Sequence, residues 1–92
     1  MFIWDPAKAA RNLAKHGVAF DSAWAFDWAT SIVVDRSRRS DGERRQAAIG
    51  WLADRLHTVI FTERSEGVRL ISFRRANRAE ERAYEAIASG KK

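Results

Sequence analysis

Apolar positions recur every three or four residues near the start of the chain and every second residue through its middle, so the pattern predicts helices first and strands afterwards. Phe2-Ile3-Trp4 is a short apolar run suited to an edge strand. Asp5-Pro6 then reads as an N-cap followed by proline at the first helical position. Ala7, Ala10, Leu13 and Ala14 keep helical spacing, and Gly17 supplies a left-handed cap after Lys15 and His16. A second short helix is expected next, capped by Asp21, with Phe20, Trp24 and Trp28 as its apolar stripe and Ala23 between them.

The period changes at Ser31. Ile32-Val33-Val34 is a β-branched run, and a basic polar loop from Asp35 to Gly42 follows it. Arg45, Ala47, Ile49 and Trp51 alternate with Arg44, Gln46, Ala48 and Gly50 as a strand would. Ala53-Asp54-Arg55 makes a turn into a strand from Leu56 to Glu63, and Ser65-Glu66-Gly67 closes the next hairpin. The strand from Val68 to Arg74 is apolar on both faces through Leu70, Ile71 and Phe73, which predicts a central place in the sheet. Strict alternation puts Arg69 and Arg75 on one face of it, and Arg74 on the other with Ser72. Asn77 and Glu80 have capping-box spacing, and Ala79, Ala83, Ala86 and Ile87 are expected to pack the last helix onto the sheet. The predicted fold is a single α+β domain over residues 1–92. A small antiparallel sheet of about four strands is packed by two N-terminal helices and a C-terminal helix, with 88–92 as a frayed tail.

Composition sharpens the picture. The chain is 46% hydrophobic and carries four tryptophans, which is globular rather than disordered, but 92 residues bury only a modest core. Seventeen Lys+Arg against twelve Asp+Glu give a net charge of +5, and thirteen of the seventeen cations are arginine. Guanidinium groups present a planar fork of donors and stay protonated, so this bias points to phosphate or carboxylate recognition. There is no cysteine, hence no disulfide framework or thiolate metal site. No run approaches the ~20 apolar residues needed to span a bilayer, and no leader pattern opens the chain, so a cytoplasmic protein without membrane association is expected.

The candidate chemistry follows from those arginines. His16 and His57 are far apart, and the acidic residues show no paired motif, so a catalytic metal is not expected. RNA offers a metal-free route because its 2′-hydroxyl is a built-in nucleophile. The protein then needs cations around a pentacoordinate phosphorane, a kind of term often worth about 3 kcal/mol per donor, and a group to move protons. Arg45, Arg64, Arg69, Arg74 and Arg75 are the candidate cations, and His16 with Lys15 the candidate proton carriers. Each has a plainer reading. Single arginines are usually solvated or ion-paired, and cations in a last helical turn complement the helix dipole. Trp4, Trp24 and Trp28 read as core, Trp51 beside a turn is undecided, and Tyr84 fits either packing or base stacking.

Taken together, Phe2-Ile3-Trp4-Asp5, Lys8, Asn12, Lys15-His16-Gly17-Val18, Phe20, Arg45, Gly50, Thr62-Glu63-Arg64, the run Arg69-Leu70-Ile71-Ser72-Phe73-Arg74-Arg75-Ala76 and Glu81-Arg82-Tyr84 resemble the BrnT family of bacterial toxins across nearly the whole chain. Phe73 stands where that family usually has a small residue. The resemblance implies a metal-independent ribonuclease toxin of a type II toxin–antitoxin pair, similar in fold to the RelE-like toxins and needing no cofactor. It implies RNA as substrate and a BrnA-like ribbon-helix-helix antitoxin as partner, with operator DNA contacted only through that antitoxin. On this reading Lys15, His16, Arg64, Arg69 and Arg74 are catalytic, and Arg45, Arg75 and Tyr84 bind substrate. The competing expectations are a basic nucleic-acid or protein binding module without chemistry, which predicts salt-sensitive binding and no product, and a purely structural subunit stable only with its partner.

Overall fold

The computed structural model describes residues 1–37 and 44–90. Most of the basic loop, from Arg38 to Gly42, lies outside the described residues, as do Lys91 and Lys92. The chain runs β1 (Phe2–Ile3), α1 (Pro6–His16), a 3₁₀ turn (Phe20–Trp24), β2 (Ile32–Asp35), β3 (Gln46–Leu52), β4 (Arg55–Arg64), β5 (Gly67–Arg75) and α2 (Arg78–Ala88). The strands form one sheet in the order β1-β5-β4-β3-β2. The sheet is mixed, because β1 pairs in parallel with β5 while the other pairs are antiparallel.

The caps are where the residues put them. Asp5 Oδ1 accepts from Ala7 N at 2.9 Å, and Gly17 ends α1 at φ 72°, its N–H returning to Leu13 O at 2.8 Å. Asn77 and Glu80 form a reciprocal capping box at the start of α2. Two expectations need correction. The second N-terminal helix is only a five-residue 3₁₀ turn, since Phe20 and Ala23 must sink into the core within a single turn while Trp24 stays 69% exposed. The sheet has five strands and is not purely antiparallel. The C-terminal helix extends through Ala88.

Opposed residues in a ladder share a face, so the registers sort the sheet into two layers. One face carries Phe2, Val68, Leu70, Phe73, Phe61, Val59 and Ala48, and packs against Val18, Phe20, Ala23 and Phe26. Phe73 is fully buried there, edge-on to Phe26 at 5.8 Å. The other face carries Ile32, Ile49, Leu56, Thr58 and Arg74 and is covered by α2 through Glu80 and Tyr84. The alanine stripe expected to seat α2 does not do so. Ala79, Ala83 and Ala86 are exposed and Ile87 is 56% exposed, because the helix is held by an ion pair and a tyrosine.

Asn12 explains how α1 docks. β1 is too short to pair with all of β5, which leaves Phe73 with unpaired backbone groups on its outer side. The Asn12 amide replaces the missing strand: Nδ2 donates to Phe73 O at 2.8 Å, and Phe73 N donates to Oδ1 at 3.1 Å. Nδ2 also donates to Val18 O at 2.9 Å, so this buried side chain ties the helix, the following loop and the strand edge together. Leu13, on the expected apolar stripe, is left 51% exposed.

Candidate active site

The decisive local feature is a β-bulge. Phe61 pairs with Leu70 but Ile60 pairs with Ser72, so Ile71 is an extra residue in β5. The bulge resets the alternation and corrects the expected grouping. Arg69 opposite Thr62, Ser72 opposite Ile60 and Arg74 opposite Thr58 all lie on the face covered in part by α2. Arg75, opposite His57, lies on the other.

Beside the bulge, α1 runs past the edge of β5 and forms a cleft of about 380 Å³ lined by Lys8, Arg11, Asn12, Lys15, His16, Ile71 and Ser72. Lys8, Arg11 and Lys15 fall at i, i+3 and i+7 on α1 and share one stripe. Among the described residues no carboxylate lines the cleft. His16 is half-buried, and its pKa is lowered from the ordinary 6.5, first by desolvation and then by the charges of Lys15 and Arg74. Near neutral pH the imidazole is therefore an uncharged base.

Arg74 borders this cleft electrostatically but is tied to α2. Its Nη1 donates to Glu80 Oε1 at 2.8 Å and to Arg75 O at 3.3 Å, and its Nη2 donates to Glu80 Oε2 at 3.0 Å. These bonds engage three of its five N–H groups. Arg36 Nη2 also reaches Glu80 Oε2 at 3.3 Å, and Asn77 N donates to Oε1 at 2.9 Å. Burial alone would push the Glu80 carboxyl up. Hydrogen bonds from Arg74 and Asn77, with a smaller contribution from the Thr58 hydroxyl and the Arg74 charge, instead hold it down at about 2. Thr58 Oγ1 lies short of full hydrogen-bonding geometry, so its contribution is the least direct. The Glu80 hydrogen bond also raises the Arg74 pKa, so the guanidinium stays charged.

The other expected site residues are dispersed. Arg64 and Arg69 line a separate hollow of about 260 Å³ with Ile3, Trp4, Asp5 and Glu66. Arg45 precedes β3, where its backbone bonds Arg36 and Ser37, about 10 Å from β5 by strand spacing. Arg75 is exposed at the end of β5. Tyr84 is buried under α2, its hydroxyl donating to Thr30 O at 3.4 Å. Sequence reasoning did not name Arg11, Ser72 or Glu80 as site residues. The cationic stripe on α1 was readable from spacing, whereas Ser72 needed the bulge. Among the described residues no group of three or more His, Cys, Asp or Glu could hold a metal, and no helix is long and apolar enough to cross a membrane.

A cationic cleft without carboxylates, holding a neutral imidazole against a strand that carries Ser72 and Arg74, is suited to a phosphodiester. The model of a family described as the ribonuclease toxin BrnT of type II toxin–antitoxin systems matches residues 4–80. The chain belongs to this family. Membership makes it a ribonuclease toxin with a cognate antitoxin as partner. The matched span includes all of α1, the bulged strand and Glu80. No curated protein matches the chain.

Proposed function

We propose that this BrnT-family toxin is a metal-independent, RelE-like endoribonuclease that uses the α1–β5 cleft. The carrying observation is the placement of His16, depressed in pKa, within electrostatic reach of Arg74 and beside Lys8, Arg11, Lys15 and Ser72. The neutral His16 imidazole takes the proton of the 2′-hydroxyl, and the 2′-oxygen attacks the adjacent phosphorus. The P–O5′ bond breaks, and the Lys15 ammonium supplies a proton to the leaving 5′-oxygen, giving a 2′,3′-cyclic phosphate and a 5′-hydroxyl. Arg74 and Arg11 stabilise the extra charge of the phosphorane, with Ser72 as a further donor. Arg64 and Arg69 hold the flanking backbone in the neighbouring hollow, Arg69 about 10 Å from Ser72 along β5.

In the cell such cleavage inhibits translation and growth until a BrnA-like ribbon-helix-helix antitoxin neutralises the toxin and carries it to operator DNA. The test is incubation of purified toxin with total RNA in EDTA, comparing wild type with His16→Ala. Arg74→Ala is a poorer control because it also strips Glu80 of its main partner. Discrete fragments ending in 2′,3′-cyclic phosphate, made by wild type and lost in a folded His16→Ala variant, are expected. Intact RNA that is bound in a salt-sensitive way would instead establish a binding module.

A further inference from the structure

A second hollow, of about 340 Å³, lies at the end of the sheet between the β3–β4 turn and the first turns of α2. Its walls include Trp51, Asp54, Arg55, Arg75, Glu81 and Glu85. We propose that it is a base-recognition subsite. Trp51 stacks a nucleobase of single-stranded RNA near the cleaved bond, and Glu81 and Glu85 accept hydrogen bonds from that base's amino group. This rests on the ribonuclease reading above and adds a subsite to it.

Trp51 is 39% exposed, yet it is not loose. Tyr84 meets it edge-on at 6.0 Å and 85°, and Tyr84 is itself buried and bonded to Thr30 O. A fixed indole with an accessible surface offers a base a stacking partner with little ordering cost. The carboxylates repel a phosphate backbone but suit a base edge with an amino donor, which guanine, adenine and cytosine carry, whereas uracil has only its ring N3–H. Arg55 and Arg75 suit the phosphates on either side of that base. Against the three carboxylates the same two arginines leave one uncompensated negative charge, so a cationic side chain of a protein partner, the other ligand a tryptophan with carboxylates would take, gains little net attraction. The location agrees: Arg75 follows Arg74 directly, and Ser72 to Ala76 spans about 13 Å of strand, so one RNA segment reaches both sites.

The test pairs a protein change with a substrate change. Short single-stranded RNAs carry guanosine, uridine or an abasic ribose at each position within two nucleotides of the cleavage site, and kcat/KM is measured for wild type and Trp51→Leu. At one position wild type should lose about 5- to 100-fold on the abasic RNA. Trp51→Leu should lose as much on the guanosine RNA and nothing further on the abasic one. Wild type should also prefer guanosine to uridine there, and the double substitution Glu81→Gln, Glu85→Gln should erase that preference. Losses that multiply at every position, or wild-type rates in a folded Trp51→Leu or Trp51→Phe variant, overturn the subsite while leaving the ribonuclease reading intact. Wild-type toxin that neither cleaves nor binds any of these RNAs overturns both. If Trp51→Leu leaves cleavage unchanged but weakens antitoxin binding, the subsite is overturned in favour of a protein contact.

Discussion

Replacing Glu80 with alanine tests whether one buried carboxylate fastens α2 to the sheet. Glu80 is 2% exposed, and its side chain accepts four hydrogen bonds, two from Arg74, one from Arg36 and one from Asn77 N. Removing one partner of a buried ion pair costs about 3–5 kcal/mol because the other is left uncompensated. The Arg74 and Arg36 side chains keep 24% and 44% exposure, so water recovers part of that and the low end applies, about 3 kcal/mol. The pKa gives the same size: a fall from 4.5 to about 2 corresponds to about 3 kcal/mol. That is a large share of the roughly 5–14 kcal/mol expected for a chain of this length.

The pH dependence has a definite sign. The folded carboxyl is depressed below its unfolded value, so its contribution is complete above about pH 4.5 and disappears as pH falls toward 2. Urea unfolding of wild type and Glu80→Ala, followed by circular dichroism and tryptophan fluorescence, should show the ~3 kcal/mol gap at pH 7 closing toward pH 2. Glu80→Gln should be nearly as costly, since its amide keeps an acceptor for Asn77 N but sets a donor against Arg74. A gap below about 1 kcal/mol at pH 7, or one that does not change with pH, would refute the reasoning.

Three other outcomes are expected. Cleavage by wild type should rise with pH along an acid limb whose midpoint lies below 6.5, because His16 is depressed and must be neutral to act; His16→Gln should remove the limb together with most activity, read by initial rates on one RNA. Asn12→Ala should cost about 3 kcal/mol by urea unfolding, since it leaves both backbone groups of Phe73 and the carbonyl of Val18 without their partner. Gly67→Ala should cost at least about 2 kcal/mol, because at φ 141° a Cβ would run into Met1 O and push β1 off the sheet edge; an unchanged melting temperature would count against this.

Local signals in the sequence were read correctly where they act within one element. Asp5-Pro6, Gly17 and the Asn77/Glu80 pair mark helix ends through contacts a few residues long. The reading failed where tertiary contacts decide. Alternation put Arg74 opposite to Arg69 because one bulged residue, Ile71, has no signature of its own in Leu70-Ile71-Ser72. Apolar stripes misplaced the packed faces of both helices. α1 docks by the Asn12 amide on an open strand edge and α2 by Glu80 on Arg74, so polar residues sit where an apolar stripe is normally sought. The cationic part of the cleft was legible in the spacing of Lys8, Arg11 and Lys15. Its floor at Ile71 and Ser72 came into view only with the strand register.

Charge balance decides whether a guanidinium already paired with a carboxylate still serves an anionic substrate. Glu80 offsets one of the two charges brought by Arg74 and Arg36, which leaves that cluster at +1 and holds Arg74 in place without reorganisation. Lys8, Arg11 and Lys15 add three charges along the cleft, with no carboxylate among the lining residues. About four phosphates are then neutralised in this cleft alone, so for single strands log K should fall against log salt with a slope of at least about −3, steeper where Arg64, Arg69, Arg55 or Arg75 also meet the backbone. Binding of a 2′-O-methyl RNA, which lacks the attacking hydroxyl, measures this without turnover. Lys8→Ala and Arg11→Ala should each make the slope shallower by about 0.7 and weaken all sequences alike. A wild-type slope shallower than about −1 would mean that the backbone lies elsewhere, because four fixed cations cannot meet a polyanion without releasing its counterions.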